Sequence, residues 1–175
     1  STVTRTRLDT SVTLTDVDSA NFDGGQVTVS LLNGVASQDQ LTVFNQGTNN
    51  GQISVSGSDV RYNFGSGPVS IGTLSDGTGG VPLSIALNGN ATAKSVEVLI
   101  ENVAYGNTSA LPDTTTRQIR ITVNDGDGTA LGGTDSVSHT LNLTVVSSND
   151  APSLGALGGT RSHTEGGSAV VRGRT

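Results

Sequence analysis

The sequence predicts an all-β chain folded as a two-sheet sandwich with one short helix, and three observations carry that expectation. Thr, Ser, Asn, Val and 24 glycines dominate the composition, while aromatic residues make up 3% and charged residues 14%. Thr and Val suit pleated, half-buried surfaces, and Gly, Asn and Asp suit tight turns. Short apolar runs alternate with turn clusters at regular spacing, the pattern of a sandwich. One stretch, TAKSVEVLIENVAY, departs from it, with Val96, Leu99, Ile100 and Val103 recurring at helical spacing.

Taken in order, the strand-like runs are Val12 to Leu14, Val27 to Leu31, Leu41 to Phe44, Ile53 to Val55, Val60 to Phe64, Val69 to Leu74, Leu83 to Leu87, Gln118 to Val123 and Val137 to Val146. Between them stand Asp23-Gly24-Gly25, Asn49-Asn50-Gly51, Asn88-Gly89-Asn90 and Asn124-Asp125-Gly126-Asp127-Gly128, each a turn signal. The helix is expected across one end or edge of the sandwich. Val, Leu and Ile must build the core, with Phe22, Phe44, Phe64, Tyr62 and Tyr105 as its large anchors. So light a core gains more than most from a bound metal or a stacked neighbour.

Fifteen acidic side chains face nine basic ones, giving net charge -6 and a pI near 4.6. That sign disfavours nucleic acid and anionic membranes and favours cations. With no cysteine, neither disulfides nor thiolate metal sites are available. No run of about twenty apolar residues and no leader-like opening is present, so the chain is expected to be soluble, with any targeting signal outside it.

Most of the carboxylates read as solvated surface. Asp39, Asp59 and Asp76 stand alone and receive no role. Two groups differ: TDVDSANFDGG sets Asp16 and Asp18 two apart, followed by Asn21 and Asp23, and VNDGDG sets Asp125 and Asp127 two apart after a strand. Carboxylates at i and i+2 of an extended backbone share a side and repel unless a cation lies between them. Hard divalent cations, calcium above all, take roughly six to eight oxygen ligands of the kind that strand-end loops supply. Neither stretch fits the EF-hand loop, and DGDG is too short for the nonapeptide calcium repeat.

The run TVVSS stops at Asn149-Asp150-Ala151-Pro152, where proline cannot continue a sheet ladder. Beyond it, Ser168, Val170, Arg172 and Arg174 fall in the same relative positions as Ser1, Val3, Arg5 and Arg7. The opening strand thus recurs after the proline, as in a tandem array. Expected units are a sandwich at 1–148, an inter-repeat linker at 149–152 and the start of a second copy at 153–175.

LTDVDS, YGNTSALPDTTTRQIRITVNDGDG and NDAP, in that order, resemble the cadherin-like repeats of very large bacterial surface and secreted adhesins. TEGGSAVV in the tail is similar to the usual opening of such a repeat. The resemblance covers about residues 10 to 152 and implies a Greek-key, cadherin-like sandwich with calcium at the repeat junctions. It places Asp16 and Asp18 towards the preceding linker and Asp125 at that same end. Asn149 and Asp150 become linker ligands, and Glu165 becomes the opening Glu of the next repeat. Asp23, Asp113 and Asp127 complete the candidate set. The implied role is that of a calcium-rigidified extender, secreted or at the cell surface. Its partners would be neighbouring repeats and cell-surface or homophilic contacts, without membrane insertion.

The competing expectation is a ligand-binding sandwich, for carbohydrate or homophilic contact, which Tyr62 or Tyr105 lying flat on the surface would favour. Tyr105 is expected to be buried instead. His139, on the outer face of its strand, and His163, in the tail, read as structural or exposed. With Ser unpartnered and no carboxylate pair in a cleft, no enzyme is expected. The sequons at Asn90, Asn107 and Asn142 follow from composition alone, and no glycosylation is inferred.

Overall fold

The computed structural model describes residues 3–16, 19–35, 37–75, 77–128 and 134–147. Within them lie ten strands and one helix in two antiparallel sheets: β1 Arg5–Arg7, β2 Gln26–Leu31, β3 Asp39–Val43, β4 Ile53–Ser56, β5 Asp59–Asn63, β6 Pro68–Ser75, β7 Leu83–Leu87, α1 Ala93–Glu101, β8 Val103–Asn107, β9 Arg117–Asn124 and β10 Ser136–Leu143. The small sheet runs β1-β8-β3 and the large one β10-β9-β2-β7-β6-β5-β4. Asp18, Asp76, Asn149, Asp150, His163 and Glu165, the linker at 149–152 and the tail at 153–175 lie outside the described residues.

Alternation explains the layering. Val27 and Val29 of β2, Leu83, Ile85 and Leu87 of β7, and Ile119, Ile121 and Val123 of β9 are all buried. Register aligns them, with Val27 opposite both Ile85 and Val123, and Val29 opposite Leu83 and Ile121. One apolar face results, closed by Leu41, Val43, Val103 and Tyr105 of the small sheet. The chain passes between sheets at β1 to β2, at β2 to β3, at β3 to β4, through α1 and at β8 to β9.

The helix forms because Thr92 caps it. Its hydroxyl oxygen accepts the Ser95 N–H at 3.3 Å, while Ser95 Oγ accepts the Thr92 N–H at 2.9 Å. Val96 and Leu99 are fully buried. Asn102 ends the helix, its side-chain amide donating to the Val98 carbonyl at 2.8 Å, so Val103 and Tyr105 begin a strand instead of a last turn. As the middle strand of the small sheet, β8 is buried on both faces, which erases the alternation that marks strands in sequence. Val12 to Leu14 is not a strand: the Leu14 N–H goes to Glu97 Oε2 at 3.2 Å, and Val12 and Leu14 pack half-buried on the core.

Three further expectations are corrected. Phe44 and Phe64 are 45% and 44% exposed, because each falls just beyond the end of its strand. Phe64 instead leans edge-on against buried Tyr62, ring centroids 4.7 Å apart. His139 pairs with Ile121 and so shares the inward face; it stays exposed because β10 is an edge strand with little laid over it. Asp39 and Asp59 are not alone: Asp59 accepts from Arg61 at 2.5 Å and Ser70 at 2.6 Å, and Asp39 is the buried centre described below.

Candidate functional site

Two groups of polar side chains stand out, and the sequence anticipates one of them. The first is at the end of the sandwich where β9 runs into Asp125. The Asp125 N–H donates to the Asp135 carbonyl at 3.1 Å, and the Asp127 N–H donates to Asp125 Oδ1 at 3.2 Å. Across from this turn, the Asp16 carboxylate accepts the Ser19 N–H at 3.0 Å. The Ser19 hydroxyl spans the gap to Asp127 Oδ2 at 2.8 Å.

Glycine makes this approach possible. At Gly126, with φ +90°, a Cβ would lie 2.4 Å from the Gly25 nitrogen and 2.5 Å from the Asp23 carbonyl oxygen. A Cβ on Gly25 would in turn lie 2.5 Å from the Asn124 carbonyl oxygen. The Asp23-Gly24-Gly25 turn and the Asp125-Gly126 turn are therefore in backbone contact, which only side-chain-free residues permit.

A groove of about 410 Å³ opens here, lined by Leu14, Asp16, Phe22, Asp125, Asp135 and Val137 among others. Asp125 is held above the ordinary carboxylate range, first by partial burial and then by the Asp127 side chain and the charge on Asp16. Asp16, Asp125 and Asp127 thus share one neighbourhood, and Asp23 adjoins it through its backbone. The donors are all oxygen, the chemistry of a hard cation rather than of zinc or copper. Among the described residues, no three His, Asp or Glu side chains close into a ligand set for a metal.

The second group escaped sequence reasoning. Arg117, fully buried at the start of β9, donates from Nε to Asp39 Oδ2 at 2.8 Å. Asp39 also accepts the Val35 N–H at 2.6 Å, the Asn107 amide at 2.8 Å and the Tyr105 hydroxyl. Arg117 Nη1 reaches Asp113 Oδ1 at 3.1 Å and Nη2 the Asp113 carbonyl at 3.0 Å. Asp113, a candidate calcium ligand from the sequence, is thereby placed in this cluster, away from the acidic turns. Burial works to raise the Asp39 pKa, but its hydrogen bonds from Tyr105, Val35, Arg117 and Asn107 outweigh it and hold the carboxyl below its ordinary value.

The cluster gives the Tyr105-x-Asn107-Thr-Ser stretch a structural meaning: its tyrosine and asparagine are ligands of a buried carboxylate. The signal that could have found it is phase, since Arg117 alternates with Ile119, Ile121 and Val123 on the inward face, and a buried guanidinium demands a partner. Asp39 likewise alternates with Leu41 and Val43.

Tyr62 and Tyr105 are each 7% exposed, so neither forms a flat surface platform. Comparison with family models, curated proteins and solved structures finds no match for the chain, which stands as a mostly-β, two-sheet, sandwich-like fold with one short helix.

Proposed function

We propose that this chain is a calcium-binding extender: a structural repeat of a long extracellular protein, similar to cadherin-like adhesin repeats, that spaces a distal module from a surface. The observation that carries it is the docking of the Asp23–Gly25 turn on the Asp125–Gly126 turn through glycine backbones, with Asp16 joined to Asp127 through Ser19 and Asp125 disfavouring its own charge. Such an arrangement favours a cation that neutralises the shared charge. Asp16, Asp125 and Asp127 supply carboxylates, with Asp18 and Asp23 beside them in sequence. Asn149, Asp150 and Glu165 serve the next junction. Calcium binds the ordered geometry and stiffens it by mass action.

The test is thermal unfolding of the chain in EDTA, then with calcium and magnesium titrated separately. Calcium at a hundredfold excess over its Kd raises the midpoint by roughly 5–10 °C, and magnesium raises it less. Asp125→Asn separates the two contributions. A carboxyl whose folded pKa is raised contributes stability below its unfolded pKa and loses it as pH rises through the folded value. At neutral pH the variant therefore gains stability in EDTA and loses the calcium increment. An unchanged midpoint with both ions would leave these carboxylates as solvated surface and overturn the proposal.

A further inference from the structure

Four strands form sheet edges, and three of them are protected. β4 has four residues, and the adjoining loop covers it: the Gln46 N–H donates to the Ile53 carbonyl at 2.9 Å, Gln46 Oε1 accepts the Ile53 N–H at 3.0 Å, and the Asn45 amide donates to the Val55 carbonyl at 3.3 Å. β3 gives its Leu41 N–H to the Gly77 carbonyl at 2.7 Å. β1 is three residues long and carries two arginines. Short length, covering loops and charge are the usual defences of an edge.

Among the described residues, β10 has none of them. It pairs with β9 over eight consecutive residues without a register shift. Its sequence, SVSHTLNL, contains no proline and no Lys, Arg, Asp or Glu. Among the described residues, no hydrogen bond reaches its far side.

The ladder fixes which groups face outward. The Asp125 N–H bonds the Asp135 carbonyl, and the Leu32 N–H bonds the Gln118 carbonyl at 2.8 Å. In an antiparallel ladder bonded pairs recur at every second residue. Odd-numbered residues of β9 therefore bond β10, and even-numbered ones bond β2. On β10, Val137, His139, Leu141 and Leu143 spend their backbone groups on β9. Ser136, Ser138, Thr140 and Asn142 direct theirs to the open edge.

We propose that this edge pairs with β10 of a second copy of the chain, antiparallel and centred on Thr140, joining two large sheets into one. In that register Thr140 faces Thr140 of the second copy and Ser138 faces Asn142, each pair exchanging backbone hydrogen bonds. On the inward face Val137, 59% exposed, meets Leu143 of the second copy, and His139 meets Leu141. Apolar side chains thus gain cross-strand cover, and threonines make the hydrogen-bonding pair that favours antiparallel contact. A register centred on His139 would set two imidazoles against each other. The absence of formal charge selects the partner: in a chain of net charge -6, this strand meets its own copy without juxtaposing carboxylates. The contact is isologous, as two-fold dimers require. It depends on neither bound metal nor tandem arrangement, so its failure and that of the calcium proposal are separable.

Sedimentation of the full chain tests it. A reversible dimer is expected, and Thr140→Lys, which sets two ammonium groups face to face, raises its dissociation constant about tenfold or more. Thr140→Cys adds the chain's sole cysteine. Bonded pairs bring Cα atoms to about 5.5 Å, within disulfide reach, so this variant cross-links to itself under mild oxidation much faster than Ser56→Cys on covered β4. Circular dichroism verifies that each variant is folded. A chain that stays monomeric, a dimer indifferent to Thr140→Lys, or equal cross-linking of the two cysteine variants would overturn the proposal.

Discussion

Arg117 is the buried cation among the described residues, and its environment explains why it is tolerated. The guanidinium meets Asp39 at 2.8 Å and Asp113 at 3.1 Å, with main-chain carbonyls taking further donors. Removing one member of such a pair leaves the other stranded in a low dielectric. Asp39→Asn therefore destabilises by about 3–5 kcal/mol, read from urea unfolding at neutral pH. Proton linkage gives a second readout of the same variant. The folded pKa of Asp39 is depressed, so its contribution is present above the ordinary value of 3.8 and disappears as pH falls through the folded value. The native chain loses stability over that acid range, and Asp39→Asn shows a flatter acid limb. A limb identical to the native one would place the acid sensitivity elsewhere.

At the level of elements, legibility follows exposure on one face. β7 occupies the residues expected for it, and β2, β4, β5, β6 and β9 differ by a residue or so, because alternation survives where one side is wet. β8 was hidden because both its sides are dry, and its apolar residues ran on from those of α1. Of the candidate site, the Asp125–Asp127 pair is visible in sequence as carboxylates beside a strand end, whereas the Ser19 bridge that joins it to Asp16 is not. Asp39 was not visible as a site, because one carboxylate among polar neighbours looks like surface until its phase with Leu41 and Val43 is noticed. The docking of the two acidic turns yields its own prediction. Gly126 combines φ +90° with a 2.4 Å approach to Gly25, so Gly126→Ala must push the turns apart. Its midpoint in EDTA falls, and its calcium increment shrinks, whereas Gly128→Ala, with open space around its Cβ position, shares only the backbone strain and keeps the increment. An intact increment in Gly126→Ala would sever the turn contact from cation binding.

For the molecule as a whole, the hydrophobic cluster among the described residues draws its members from Leu8 to Val145. Under the tandem proposal the residues after Ser148 are the linker, at 149–152, and the start of the next unit, at 153–175. A chain truncated there is accordingly expected to unfold with an unchanged midpoint in EDTA, as measured by calorimetry; a clear fall would mean that the tail packs on this core.

The first and last strands among the described residues lie in different layers: β1 belongs to the small sheet and β10 to the large one. If the sandwich is pulled at β1 and β10, force enters one layer and leaves by the other, and every load path crosses the interface between them. Hydrogen-bonded ladders carry tension within each layer, but between layers packed side chains resist most of the sliding, with the Leu41–Gly77 backbone bond at one margin. Most of that interface is interlocked aliphatic groups, which yield gradually. The Asp39–Arg117 contact spans it from β3 to β9, a directional link in an otherwise smooth plane, and so serves as the rivet that sets how much shear the two layers bear before they slip.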